Sequence, residues 1–146
     1  MEDEALLERV LRAWVGASGM LKSSRVTREL TYNEAVVMKL VYEQYRADGE
    51  GCTAVKRIVQ ETGMLKSLVN RTINALCAQG YLVKERGEAD ARSLFVRPVE
   101  KRLPDFLAVH RRSLELVRQI VDIVGPEDAE GFVRMYEKLS ASGLRL

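Results

Sequence analysis

Residues 53–97, TAVKRIVQETGMLKSLVNRTINALCAQGYLVKERGEADARSLFVR, decide the fold. They open as a short helix with Val55, Ile58 and Val59 turned inward and Thr53 as its expected cap. Thr62-Gly63 closes that helix, since glycine takes a positive φ without steric cost. A second helix follows over about 66–79. Two short, β-prone, basic arms come next, 82–86 and 93–97, joined by a polar stretch, 87–92, too long for a two-residue turn.

The second helix carries two faces, because steps of three and four return to one side. Leu65, Val69, Thr72, Ile73 and Leu76 fall toward the preceding helix; Ser67, Asn70, Arg71 and Asn74 fall away from it. Arginine suits guanine edges and asparagine adenine edges in a major groove, while Lys66 and Ser67 at the helix start suit a phosphate. Leu68 lies nearer this outer face than a buried leucine should, and suits either a thymine methyl or a neighbouring helix. The bland alternative is a plain solvent face, since polar helix faces are common. In the wing, Asp90 and Arg92 are two residues apart and share a strand face. There the carboxylate can hold a basic side chain or a loop amide, and Arg92 can reach a phosphate backbone or a narrow minor groove. Charge is distributed accordingly: residues 53–102 hold ten Lys or Arg and five acids, a sum of +5, so with a total of +2 the remainder sums to −3. A basic centre between acidic flanks suits contact with phosphate on one face.

Working outward, the first helix spans about 3–20 with an apolar stripe of Leu6, Leu7, Val10, Leu11, Trp14 and Val15, and Gly16 and Gly19 weaken its last turns. The second begins at Thr31-Tyr32-Asn33-Glu34, a capping box in which Thr31 and Glu34 each accept the other's backbone amide proton. Val37, Leu40, Val41 and Gln44/Tyr45 set its inward face, and 48–51 ends it. Beyond the wing, Pro104 places the start of a long helix near Leu103, because proline is tolerated only in a first turn. Near-heptad apolar spacing runs to Val124. Gly125-Pro126 then breaks the helix, and Pro126-Glu127-Asp128 starts a last one with a stripe of Ala129, Phe132, Val133, Tyr136 and Leu139. The fold class is mainly α with a small β-hairpin wing: a winged helix-turn-helix plus N- and C-terminal helices whose stripes exceed what one small domain can cover.

The stretch 53–97 resembles the winged helix-turn-helix of the MarR family of bacterial regulators. Gly63-Met64-Leu65-Lys66-Ser67-Leu68-Val69-Asn70-Arg71 resembles the start of that family's recognition helix. Gln79-Gly80-Tyr81-Leu82-Val83 resembles the passage into its wing, and Asp90-Ala91-Arg92-Ser93 its acid-x-Arg wing tip. Leu65 departs from the small polar or acidic cap usual in the family, and Pro98-Val99 replaces its common Leu-Thr. The resemblance implies one domain over 1–146, with a DNA-binding lobe at 31–98 and a helical dimerisation region at 1–24 and 99–146. It also implies a homodimer on a pseudo-palindromic operator in double-stranded DNA, acting as a repressor relieved by a small aromatic or amphipathic effector. DNA contacts would come from Lys66, Ser67, Asn70, Arg71, Asn74, Asp90 and Arg92. The effector would sit between the dimer helices and the winged lobe, near Trp14, Tyr32, His110 and Arg111.

Enzyme chemistry finds little support. There is one histidine, no His/Cys cluster at metal-ligand spacing, no phosphate-binding glycine loop and no nucleophile elbow, so no catalytic residue, metal or cofactor is expected. No apolar run approaches the roughly 20 residues of a membrane span. The acidic start, Met1-Glu2-Asp3-Glu4, is unlike a secretory signal, so a cytoplasmic protein with two free thiols is expected. Cys52, in a loop before a helix, is the better redox candidate of the two, and a thiol-based sensor is one competing reading. A winged-helix module that binds protein instead of DNA is the other; it should lack the basic, hydrogen-bonding outer face.

Overall fold

The computed structural model describes residues 3–23, 29–48, 51–87 and 92–144. In order they form α1 (Glu4–Ser23), α2 (Tyr32–Asp48), β1 (Thr53–Ala54), α3 (Val55–Thr62), α4 (Lys66–Ala78), β2 (Leu82–Arg86) and β3 (Leu94–Pro98). A 3₁₀ turn (Glu100–Arg102), α5 (Leu103–Val124) and α6 (Pro126–Ala141) complete the chain. Two compact units result, Met1–His110 and Arg111–Leu146, with the boundary inside α5.

In the first unit the capping box of α2 is formed as its residues dictate. The Thr31 amide donates to Glu34 Oε1 at 3.0 Å and the Glu34 amide to Thr31 Oγ1 at 3.2 Å. Glu34 is buried, and its second oxygen accepts from Gln79 Nε2 at 2.8 Å. Because Gln79 caps the C-terminus of α4, one carboxylate ties the start of α2 to the end of α4. The α3–α4 turn is equally determined. Gly63 adopts φ 69° and donates to the Val59 carbonyl at 3.0 Å, while Thr62 Oγ1 donates to the Ile58 carbonyl and accepts from the Met64 amide.

The sheet has three strands in the order β1-β3-β2, all antiparallel, where a two-stranded hairpin was expected. The hairpin register runs from Leu82↔Pro98 to Arg86↔Leu94, and β1 adds Thr53↔Val96 and Ala54↔Phe95. This pairing overturns the expected role of Thr53. Drawn into the sheet, it is buried with no hydrogen-bond partner for Oγ1 among the described residues, and Ala54 takes the N-cap of α3 without a side-chain cap.

Around this sheet the core gathers Val37, Met38 and Val41 of α2, Ile58 of α3, Val69, Ile73 and Leu76 of α4, and Tyr81, Leu82 and Val96. Phe106 and Val109 join them, so the first turns of α5 belong to the winged lobe's core. The Phe106 ring lies 5.4 Å from Tyr42 and 6.2 Å from His110, centroid to centroid. Start and proline agree with the sequence reading: the 3₁₀ turn precedes Leu103, and Pro104 falls in the first turn of α5, where no intrahelical amide is lost. By contrast, α1 runs through Gly16 and Gly19, and its stripe from Leu6 to Val15 stays exposed. In the second unit Leu114, Val117 and Ile120 of α5 and Phe132, Val133 and Tyr136 of α6 are likewise exposed.

Candidate nucleic-acid interface

Helix α4 buries Val69, Thr72, Ile73 and Leu76, which leaves Lys66, Ser67, Arg71 and Asn74 exposed and Asn70 half-buried. The outer face is therefore the one the spacing predicts. Two leucines exchange places relative to that reading. Leu68 is half-buried in the wall of a cleft beside α4, whereas Leu65, expected inward, is 75% exposed. As the N-cap, Leu65 has ψ 142°, so its side chain leaves the helical path and the three-and-four rule no longer locates it.

A leucine there supplies no cap. The first helical backbone bond runs from the Val69 amide to the Leu65 carbonyl, so the preceding amides lack helical acceptors. They form, with Lys66, a positive helix end suited to a phosphate. Among the described residues, ion pairs hold Arg57 with Glu61 at 2.8 Å, Arg97 with Glu85 at 2.5 Å and Arg102 with Asp105 at 2.6 Å. Arg102 also lies over the Tyr81 ring, 4.0 Å from its centroid. Lys66 and Arg71 have no acidic partner among the described residues, so the α4 face keeps its positive charge.

Lys84 was not singled out by the sequence. Its ammonium, on an exposed position of β2, donates to Asn74 Oδ1. The Asn74 oxygen is thereby engaged, leaving the amide NH2 to face outward as a donor. An asparagine reading adenine needs both its donor and its acceptor. Replacing Lys84 by methionine is therefore expected to shift base preference opposite Asn74 toward adenine, with a change in overall affinity below about tenfold. Selection from randomised DNA with both proteins measures this; unchanged preferences would show that the Lys84–Asn74 contact sets nothing. Arg92 is exposed just before β3, and Asp90 lies outside the described residues.

Of the four residues expected around an effector, Tyr32 lines a cleft of about 530 Å³ with Thr31, Asn33, Val36, Thr62, Met64 and Leu68. The others lie elsewhere: Trp14 is exposed on α1, His110 stacks on Phe106, and Arg111 is an exposed residue at the start of the second unit. Among the thiols, Cys52 Sγ donates to Glu85 Oε2 at 3.3 Å, a carboxylate where an activated thiol has a basic neighbour. Burial pushes the Cys77 thiol up, against the opposing pull of Lys84. Among the described residues no group of three or more His, Cys, Asp or Glu could hold a metal, and no helix is long and apolar enough to cross a membrane.

The sequence model of the MarR family matches residues 45–93, from the end of α2 to the start of the wing's second arm. No curated protein matches the chain in sequence. Among solved structures, AbsC, a MarR family transcriptional regulator from Streptomyces coelicolor, is 16% identical with a TM-score of 0.75, over 97% of this chain and 95% of that one. The transcriptional regulator BldR from Sulfolobus solfataricus is 16% identical with a TM-score of 0.71, over 94% and 99%. BpsR from Bordetella bronchiseptica, whose DNA binding is regulated by 6-hydroxynicotinic acid, is 18% identical with a TM-score of 0.68, over 94% and 97%. At such identities the structures speak for the fold, and the family sequence pattern speaks for the lobe that carries α3, α4 and the wing. Taken together, these matches show a winged helix-turn-helix fold whose α3, α4 and wing carry the sequence pattern of the MarR family.

Proposed function

We propose that this protein is a DNA-binding transcriptional regulator of the MarR type, a cytoplasmic homodimeric repressor that a small aromatic or amphipathic molecule releases from DNA. The observation that carries the reading is the outer face of α4, where Lys66, Ser67, Asn70, Arg71 and Asn74 stand opposite the buried Val69, Thr72, Ile73 and Leu76. In the complex α4 enters the major groove and the wing around Arg92 follows the flanking backbone. Two half-sites lie about one helical turn apart in a pseudo-palindrome, as the two-fold symmetry of a dimer requires.

The exposed stripes on α1, α5 and α6 support pairing with a second copy. Leaving Leu6, Leu11, Trp14, Val117, Phe132 and Tyr136 in water is unfavourable, and a second copy covers them with matching helices. Effector control is supported by the cleft at Tyr32, whose volume falls in the usual ligand range. Tyr32, Val36, Met64 and Leu68 supply apolar walls, Thr31, Asn33 and Thr62 supply hydrogen-bonding groups, and no charged side chain among the described residues lines it. An occupant there touches the first turn of α4 at Leu68. Through Glu34 and Gln79 the same end of α2 also holds the last turn of α4. A ligand that fits one orientation of α4 better than the other shifts DNA affinity by that difference.

The test is selection from a randomised double-stranded library, with sedimentation of the free protein. Enrichment of an inverted repeat and a mass of two chains are expected. An unenriched library would reject DNA reading, and a single-chain mass at micromolar concentration would reject the dimer.

A further inference from the structure

Leu65 is the most exposed large apolar side chain of the described residues in the first unit, at 75%. It belongs neither to the core nor to the lining of the Tyr32 cleft, and it sits on none of the helical stripes of α1, α5 and α6. Its neighbours in sequence are the exposed Lys66 and Ser67. It also occupies an N-cap, a position where Ser, Thr, Asp or Asn would bind a free amide and where leucine forgoes that stabilisation. A residue that weakens its own helix start and stands in water contributes nothing to folding that a polar residue would not better.

We propose that Leu65 reads a thymine methyl in the major groove, as an apolar specificity-determining residue beside the polar readers of α4. This rests on the DNA-reading function proposed above. The chemistry is complementary. Residues at the start of a recognition helix are those that reach base edges. The C5-methyl of thymine is the apolar feature of the major-groove floor and is recognised by apolar side chains. Leu65 stands at the N-cap, outside the helical path of α4, with its side chain 75% exposed and directly before the exposed Lys66 and Ser67. Leu68, the leucine that helical spacing would favour for this contact, is instead engaged in the cleft wall. Of the two, Leu65 is the one free to meet a base.

Deoxyuridine differs from thymidine by that methyl alone, which makes the test direct. The selected operator is synthesised with each thymine replaced in turn by deoxyuridine, and affinities are measured by fluorescence anisotropy at one salt concentration. The proteins are the wild type, Leu65→Ala and Leu65→Ser, with melting curves to confirm folding; the serine variant restores a cap and should melt no lower than the wild type. For the wild type, one thymine per half-site should show a loss of about fourfold, the value of one buried methyl. Both variants should bind thymine and deoxyuridine equally there. A wild type indifferent to every substitution, or variants that keep the same sensitivity, would overturn the assignment while leaving the regulator intact. A protein that enriches no sequence at all would remove the DNA-reading function and this inference with it.

Discussion

Replacing Arg71 with alanine is expected to weaken operator binding by roughly 5- to 150-fold for each half-site, from the about 1–3 kcal/mol that a bidentate arginine–guanine pair discriminates. The expectation follows from where the residue stands. Arg71 is exposed in the middle of the outer face of α4, and no acidic side chain among the described residues holds it, so its fork of donors is available without breaking an internal pair. The residues that hold the helix in place, Val69, Thr72, Ile73 and Leu76, point the other way. Alanine keeps the helix, so stability should change by no more than about 0.5 kcal/mol. Arg71→Lys separates charge from geometry: lysine restores the attraction to phosphate but not the planar fork, and should recover little of the specificity. Anisotropy titrations against the selected operator and a scrambled duplex at one salt concentration decide the point. Equal losses on both duplexes would move Arg71 from base reading to backbone contact.

Glu34→Ala should be the most destabilising of the substitutions considered, at about 2–3 kcal/mol. Its carboxylate completes the capping box of α2 through the Thr31 amide and holds Gln79 at the end of α4. Alanine removes both acceptors at a site 7% exposed, where the abandoned donors find little water. For a chain of this size that corresponds to a fall in Tm of roughly 6–15 °C. Glu34→Gln keeps one acceptor but sets an amide NH2 where Oε1 or Oε2 stood, and should lose about half as much. Thermal melts followed by circular dichroism measure both. Amide exchange should also quicken at the last turn of α4 more than at its middle. A Glu34→Ala protein that melts with the wild type would show that the tie between α2 and α4 carries no stability.

What was legible in the sequence was local. The capping box at Thr31 and Glu34, the glycine turn at Gly63, the start of α5 at Leu103 and the two faces of α4 each depend on residues within four positions of one another. Capping, φ preference and helical periodicity act over that range. The outer face of α4 could be read before its surroundings were known, since burying Val69, Ile73 and Leu76 obliges Arg71 and Asn74 to face out.

Tertiary structure decided what depends on partners distant in the chain or on leaving the regular path. Thr53 looked like a helix cap until pairing with Val96, 43 positions later, made it a strand residue. The link of Glu34 to Gln79 spans 45 positions and that of Lys84 to Asn74 crosses from strand to helix, so neither has a periodic signature. Leu65 was misplaced for the opposite reason. Its neighbours are local, but one extended ψ at the N-cap removes it from the helical geometry on which the inference from spacing rests. Sequence by itself therefore determined which helices form and which way their interiors face, because those follow from short-range backbone preference and apolar spacing. Only the folded chain decided the third strand, the tie between α2 and α4 and the outward turn of Leu65, because register, long-range hydrogen bonds and cap geometry exist only once the elements have met.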